Sequence, residues 1–292
     1  MNRPLVLLLV TGLAFGCNFP LAKLAVAAGV NPALWAIVIC LGTGMIVLAV
    51  ALGFEKAPPV PGIFRYAAIS GFISNVVPLF LTFAAIPHIG SGLASVMVAT
   101  SPVMTALLSM LLKVRPPNAL SLAGIALGLA GAVIIIVARN ASFGAGEALW
   151  LLLAALIPVF LGVGNVFRTT AWPKGAGNMR LAAMVNLAAV PPLTVLGFAF
   201  GGLSLEPLMD VPGLVAAQLI ASTVMYLMFF RLQAVGGPTY LSQIGYVAAV
   251  VGVGVGVTLL GETYPAMVWA GVAVVAAGIA LSTLAQIRSA GA

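Results

Sequence analysis

The sequence predicts an all-α integral membrane protein of ten transmembrane helices, arranged as two inverted five-helix repeats around a central cavity. Three observations lead there. Of 292 residues, 63% are apolar and only 6% charged, with a mean hydropathy of +1.23. A water-facing shell needs roughly a quarter of its residues charged, so the solvent for this surface is lipid. The apolar stretches run on for about 20 residues, the length a helix needs to cross the hydrocarbon, whereas barrel strands would alternate over about ten. Finally, marker residues recur at a fixed spacing of 147 positions.

The spans fall at about 4–28, 32–53, 62–86, 91–112, 118–138, 147–168, 179–201, 212–234, 238–259 and 265–287. Span 1 lacks a small-residue cleavage site after its apolar core and is too long for a cleaved signal peptide, so it reads as a helix. Pro32, Pro61, Pro117, Pro212, Pro238 and Pro265 lie near span starts, where a missing N–H costs least. Pro78, Pro102 and Pro158 are mid-span; each frees a carbonyl and permits a kink, with bending expected mainly in spans 3 and 4. Gly12-x-x-x-Gly16, Gly124-x-x-x-Gly128 and Gly252-x-x-x-Gly256 mark close helix packing. Cys17 and Cys40 are small packing residues within spans and carry no redox information.

Charge gives the sense of insertion. Arg3, Lys56, Arg65, Lys113, Arg115, Arg168, Lys174, Arg180, Arg231 and Arg288 fall on one side. Arg139 falls on the other, with Glu147, Glu206, Asp210 and Glu262. Cytoplasmic loops are the basic ones, so both termini are expected in the cytoplasm. The net charge of +7 is therefore orientation rather than a nucleic-acid footprint; no basic cluster has an aromatic platform.

Asn18 and Asn165, Gly90 and Gly237, Gly124 and Gly271, and Gly131 and Gly278 are each 147 apart. The repeat divides the chain into residues 1–140 and 141–292. Five spans is an odd number, so the second unit enters from the opposite side. Inverted repeats of this kind are an architecture of secondary transporters, with the binding site near the midplane where the repeats meet.

Embedded polar residues should face the interior. Span 1 carries Asn18 and span 6 carries Asn165. Span 3 carries Ser70, Ser74 and Pro78 four apart, with Asn75 and Thr82 close by; span 8 answers with Gln218, Ser222, Tyr226 and Phe230. Span 4 offers Ser91 and Ser95, span 9 Ser242, Gln243 and Tyr246. Spans 1, 3, 4, 6, 8 and 9 are thus expected around the cavity, and spans 2, 5, 7 and 10 outside it or at a dimer contact. A Ser or Thr can instead bond back to its own helix, a reading that fits a primary amide less well. Lys23, within span 1, either snorkels to the outer interface or meets a substrate carboxylate or an interior network. His88 is a loop residue at the outer end of span 3, or else a substrate-access or pH-sensing group. No carboxylate is embedded mid-span, which favours facilitated movement or exchange over strong proton coupling. There is no Walker loop, no metal-spaced Cys/His group and no cofactor motif.

Gly16-Cys17-Asn18-Phe19 with Lys23, Ser101-Pro102-Val103 with Leu111-Leu112, and Leu259-Leu260-Gly261-Glu262 with Gly271 and Gly278 together resemble the drug/metabolite transporter superfamily. They resemble in particular its ten-helix EamA-type exporters, and within them YddG-like amino-acid exporters. The chain departs from that pattern at Phe15, where Trp is usual, at Lys113-Val114-Arg115, where an acid is common, and at Ile39-Cys40-Leu41, which lacks an Arg. The resemblance implies a multi-pass protein of the bacterial inner membrane that exports small metabolites, often amino acids, by alternating access. The substrate-binding candidates are then Asn18, Lys23, Ser74, Asn75, Pro78, Ser95, Asn165, Gln218, Ser222, Tyr226, Gln243 and Tyr246, with Phe80, Met97 and Met225 as apolar walls. A pocket of neutral groups should be permissive, so specificity is expected to be broad across aromatic and other neutral amino acids. Partners are the substrate and the bilayer, with a monomer or homodimer equally open. The alternatives are export of another metabolite or a cationic drug, a channel, and a membrane-embedded enzyme acting on lipid-linked substrates.

Overall fold

The structure, a computed structural model, describes residues 4–55, 60–113, 119–140 and 145–290. The helices are α1 (Pro4–Ala27), α2 (Pro32–Phe54), α3 (Ile63–Ile89), α4 (Ser91–Leu111) and α5 (Ala119–Asn140). They continue with α6, in two pieces at Ala145–Ala154 and Ile157–Ala171, and α7 (Asn178–Ala199). After a single turn at Glu206–Met209 come α8 (Pro212–Thr258) and α9 (Ala266–Ala290). Among the described residues there is no strand. Seven helical stretches among them are long and apolar enough to cross a membrane, and three shorter apolar ones accompany these: Leu122–Ile135, Ile244–Thr258 and Ala266–Leu281.

One boundary differs from the sequence reading. A loop is expected near Gly236-Gly237-Pro238, yet α8 is helical throughout its 47 residues. Drawn straight it would be about 70 Å long, twice the length of α1. Both of its ends nevertheless lie along α1. Ser222 near its start bonds Asn18, and Leu232 packs on Leu7 and Leu8, so this arm runs antiparallel to α1. Ile244 packs on the same leucines, and a Cβ on Gly12 or Gly16 would strike Val247 or Val251, so the later arm runs parallel to α1. The chain therefore reverses between Leu232 and Ile244, and α8 contributes two arms.

Each of Pro78, Pro102 and Pro158 follows an interruption of regular α-helix. A π-helical turn at Phe72–Val76 precedes Pro78, α4 breaks at Thr100 before Pro102, and α6 breaks after Ala154 before Pro158. In each case the carbonyl that loses its N–H partner is taken up by a local change of helix type or register. A second π-helical turn, Val38–Thr43 in α2, has no proline; it sits where Gly42 meets Leu219 and Gly44 meets Leu187.

The exterior is apolar: Leu5, Leu13, Met45, Leu52, Phe198, Ile220 and Val250 are all exposed. The interior holds the polar groups, with Asn18, Ser70, Ser74, Asn75, Thr82, Asn186, Gln218 and Ser222 all buried. That inversion suits lipid, which offers no hydrogen bonds to an embedded amide.

Two helix pairs cross antiparallel through glycines. On α5 and α9, a Cβ on Gly131 would lie 2.6 Å from the Val275 nitrogen and 2.8 Å from the Gly271 carbonyl, and one on Gly278 would lie 2.7 Å from the Gly124 carbonyl. On α4 and the later arm of α8, a Cβ on Gly92 would lie 3.1 Å from the Val253 Cα, and one on Gly245 would lie 3.2 Å from the Ala99 Cα. Other contacts come in matched sets. Gly16 meets Val251 as Gly162 meets Met104; Asn18 meets Ser222 as Gly164 meets Ser74.

Candidate functional site

An embedded amide has up to four hydrogen bonds to satisfy, and hydrocarbon offers none. The first polar group forms where α1 meets the early arm of α8. Asn18 donates through Nδ2 to the carbonyls of Ala14 (2.8 Å) and Phe15 (3.1 Å). Its Oδ1 accepts from Ser222 Oγ at 2.8 Å and from Gln218 Nε2. Gln218 Nε2 also reaches Ser222 Oγ at 2.7 Å, while Gln218 Oε1, fully buried, has no partner.

A second group lies along the same α8 face. Asn75 donates to Asn186 Oδ1 at 3.1 Å, and Asn186 donates back to its own helix at the Ala182 carbonyl, 3.0 Å away. The Tyr226 hydroxyl and the Cys40 thiol lie against Asn75. Next to these, Arg168 donates to Asn165 Oδ1, and Asn165 donates to Thr105 Oγ1 at 3.0 Å. The π-helical turn before Pro78 brings Ser74 and Asn75 both into this layer, where consecutive residues of a regular helix would diverge by about 100°.

A third group closes one end of the bundle. Glu262, in the loop before α9, has its carboxylate at the N-terminus of α4. Oε1 accepts from Ser91 N (2.6 Å), Ser91 Oγ (2.7 Å) and Lys23 Nζ (2.7 Å); Oε2 accepts from Gly92 N (2.9 Å) and the Tyr264 hydroxyl. A carboxylate here meets the orphan N–H groups and the positive pole of the helix. Burial pushes the Glu262 carboxyl up, but Lys23, Tyr264, Gly92 and Ser91 together hold it down at about 2. Only Gly fits at 90, whose φ is +86° and whose missing Cβ leaves room for the Tyr264 hydroxyl 2.7 Å away. The opposite end has its own cap. Glu55 accepts from the N–H groups of Met179 (3.1 Å) and Arg180 (2.8 Å) at the start of α7.

The sequence-derived candidates separate on this map. Asn18, Gln218 and Ser222 come together, and so do Ser74, Asn75, Asn165 and Tyr226 around Arg168. Pro78 is buried one turn from Asn75. Lys23 reaches the end of the bundle, where Glu262 holds it at 2.7 Å. Ser95 bonds back to the Gly92 carbonyl at 2.6 Å and packs at the Gly252 crossing. Tyr246 donates to the Ile279 carbonyl at 3.3 Å, towards α9. Gln243 lies outside the residues whose side chains are described. Of the expected walls, Met97 is in the core and Phe80 leans on Phe200, with ring centres 5.4 Å apart. His88, expected in a loop, lies in the last turn of α3 and stacks on Trp150, with ring centres 4.6 Å apart.

Spans 2 and 7, expected to lie apart from the polar spans, contribute to the same polar group. Asn186 of α7 and Cys40 of α2 both meet Asn75. Asn186 is an amide within an apolar run, the same signal that singled out Asn75. It is easily passed over because span 7 has few polar companions. Arg168 reads in sequence as a loop cation of the positive side; only the fold turns it inward.

The EamA-like transporter family model matches residues 2–137. The inner membrane transporter YedA of Escherichia coli strain K12 is 27% identical over 251 residues, covering 84% of this chain and 79% of YedA. The YedA protein of strain O157:H7 matches to the same extent. A solved crystal structure superposes with a TM-score of 0.65 at 20% identity, over 96% of this chain and 98% of the other. That likeness is one of fold alone.

Proposed function

We propose that this chain, similar to the EamA-like transporter family over residues 2–137 and to YedA over 251 residues, is a multi-pass inner membrane transporter that exports amino acids by alternating access, with broad preference for aromatic and other neutral side chains. The observation that carries the reading is the buried polar seam from Asn18 through Gln218 and Ser222 to Asn75, Asn186 and Tyr226. Burying so many amides without function costs stability, since each must be fully bonded or lose about 1–3 kcal/mol. Gln218 Oε1, Ser70 Oγ and Ser74 Oγ have no partner within the fold and are available to a polar solute.

The transport path lies between two inverted five-helix repeats, residues 1–140 and 141–292. The antiparallel crossing of α5 and α9 supports this reading. Gly131 meets Gly271, the repeat mate of Gly124, while Gly278, the repeat mate of Gly131, meets Gly124. Such a self-matching antiparallel contact is what a two-fold axis in the membrane plane generates. The Glu262 clamp joins α1, α4 and the loop before α9, so opening that end requires its release.

Counterflow in proteoliposomes tests the proposal. Efflux of preloaded leucine or phenylalanine should accelerate when the same or another neutral amino acid is present on the far side, which a pore would not do. Gln218→Ala should reduce counterflow at least about tenfold while the protein stays monodisperse. Absence of counterflow across a panel of amino acids in the wild type would refute amino-acid export. Counterflow of organic cations alone would favour the drug reading.

A further inference from the structure

We infer that Arg168 and the hydroxyl face of α3 form a carboxylate-binding site at the basic end of the bundle. The inference deepens the export reading and rests on it for its place in the transport path. Among the described residues the one ion pair is Lys23–Glu262. Glu55 is engaged at the start of α7, and Glu262 at the start of α4. Arg168 thus carries a full charge with no acid opposite it. Its guanidinium turns back to Asn165, one helical turn earlier, rather than outward, and lies beside Tyr66 and Tyr226.

The groups around it are donors without acceptors. Tyr66, Ser70 and Ser74 are spaced four apart on α3, so they share a face. All three are buried, at 5%, 0% and 7% exposure, and none of their hydroxyl oxygens has a partner. Tyr66 and Ser70 are neighbours that do not meet in hydrogen-bonding geometry. Ser74 abuts Gly164, a residue before Asn165.

A carboxylate supplies what is missing. It accepts about four hydrogen bonds, takes a guanidinium in two parallel bonds, and brings the negative charge that Arg168 lacks. An ammonium would be repelled by Arg168 and would offer the hydroxyls a donor in place of an acceptor. Lys23 is already neutralised by Glu262 and offers a carboxylate no free charge.

The test measures binding to the purified full-length protein by intrinsic fluorescence and thermal shift. Four probes are used: leucine, 4-methylpentanoate (no amine), isopentylamine (no carboxylate) and inorganic phosphate. Leucine and 4-methylpentanoate should bind and isopentylamine should not. Arg168→Gln should weaken both carboxylates by about tenfold or more, and Arg168→Lys by less, because it keeps the charge and loses the fork. Tyr66→Phe, which removes one hydroxyl and little else, should weaken them about two- to fivefold and keeps the test open if Arg168→Gln does not fold. Isopentylamine binding as well as leucine, unchanged carboxylate affinity in both Arg168→Gln and Tyr66→Phe, a response to phosphate alone, or no binding of either carboxylate would overturn the inference. The two proposals fail separately. Arg168-dependent binding of 4-methylpentanoate without leucine counterflow removes the amino-acid reading and leaves the site. Leucine counterflow indifferent to Arg168 and Tyr66 does the reverse.

Discussion

Glu262 accepts five hydrogen bonds from three separate parts of the chain, and its protonation would weaken all of them. Its folded-state pKa, about 2, lies below the ordinary 4.5. A carboxyl shifted in that direction adds stability above about pH 4.5 and loses it as pH falls towards 2. The shift corresponds to roughly 3 kcal/mol. Melting temperature should therefore be insensitive to this group from pH 8 to 5 and fall below that. Glu262→Gln should melt lower at pH 7 and show a shallower fall in acid; a wild-type acid limb unchanged by the substitution would remove Glu262 as its cause. At this scale the sequence is half legible. Asn18, Asn75 and Gln218 stand out because an amide in an apolar run needs a reason. Their partners do not, because Gln218 lies 200 positions from Asn18 and Asn186 lies 111 from Asn75. Lys23 could be recognised as anomalous, but nothing local names Glu262, 239 residues away.

Glycine lets α5 and α9 touch backbone to backbone. Any side chain at Gly131 would meet the Val275 nitrogen at 2.6 Å, and backbone cannot move aside as a side chain can. Gly131→Val should cost about 2–4 kcal/mol in a reversible unfolding assay, or prevent accumulation of folded protein. Gly175, which has no atom within 4 Å of a Cβ but a φ of +81°, should lose only about 1 kcal/mol on replacement by Ala. Element positions are the most legible part of the chain, since lipid demands long apolar runs and prolines mark their ends and bends. The π-helical turn in α2 was not legible, because it answers to Leu219 and Leu187 on other helices. The reversal within α8 was expected, but as a loop; the sequence signal of Gly and Pro fixes where a chain can turn, not whether helical hydrogen bonding persists up to the turn.

For the whole molecule, orientation follows from which ends carry the basic residues. Reporter fusions at both termini should be active only with a cytoplasmic reporter; a periplasmic signal from either would remove one span from the count. The all-helical, membrane-spanning character of the fold was legible because one solvent, lipid, sorts every helix by the same rule. The site was less so, since its groups come from α1, α2, α3, α6, α7 and α8 and meet only after packing.

Two carboxylates from different halves each seize a helix start in the other half, Glu55 at α7 and Glu262 at α4, and they do so at opposite ends of α2's length. They act as an interlock. Loss of one leaves the other fastening in place at the far end of the bundle. Undoing both would leave the halves joined through their helix crossings, such as that of α5 and α9, and through Asn18–Ser222 and Asn75–Asn186. Each half is thus latched to the other by an acid at either end.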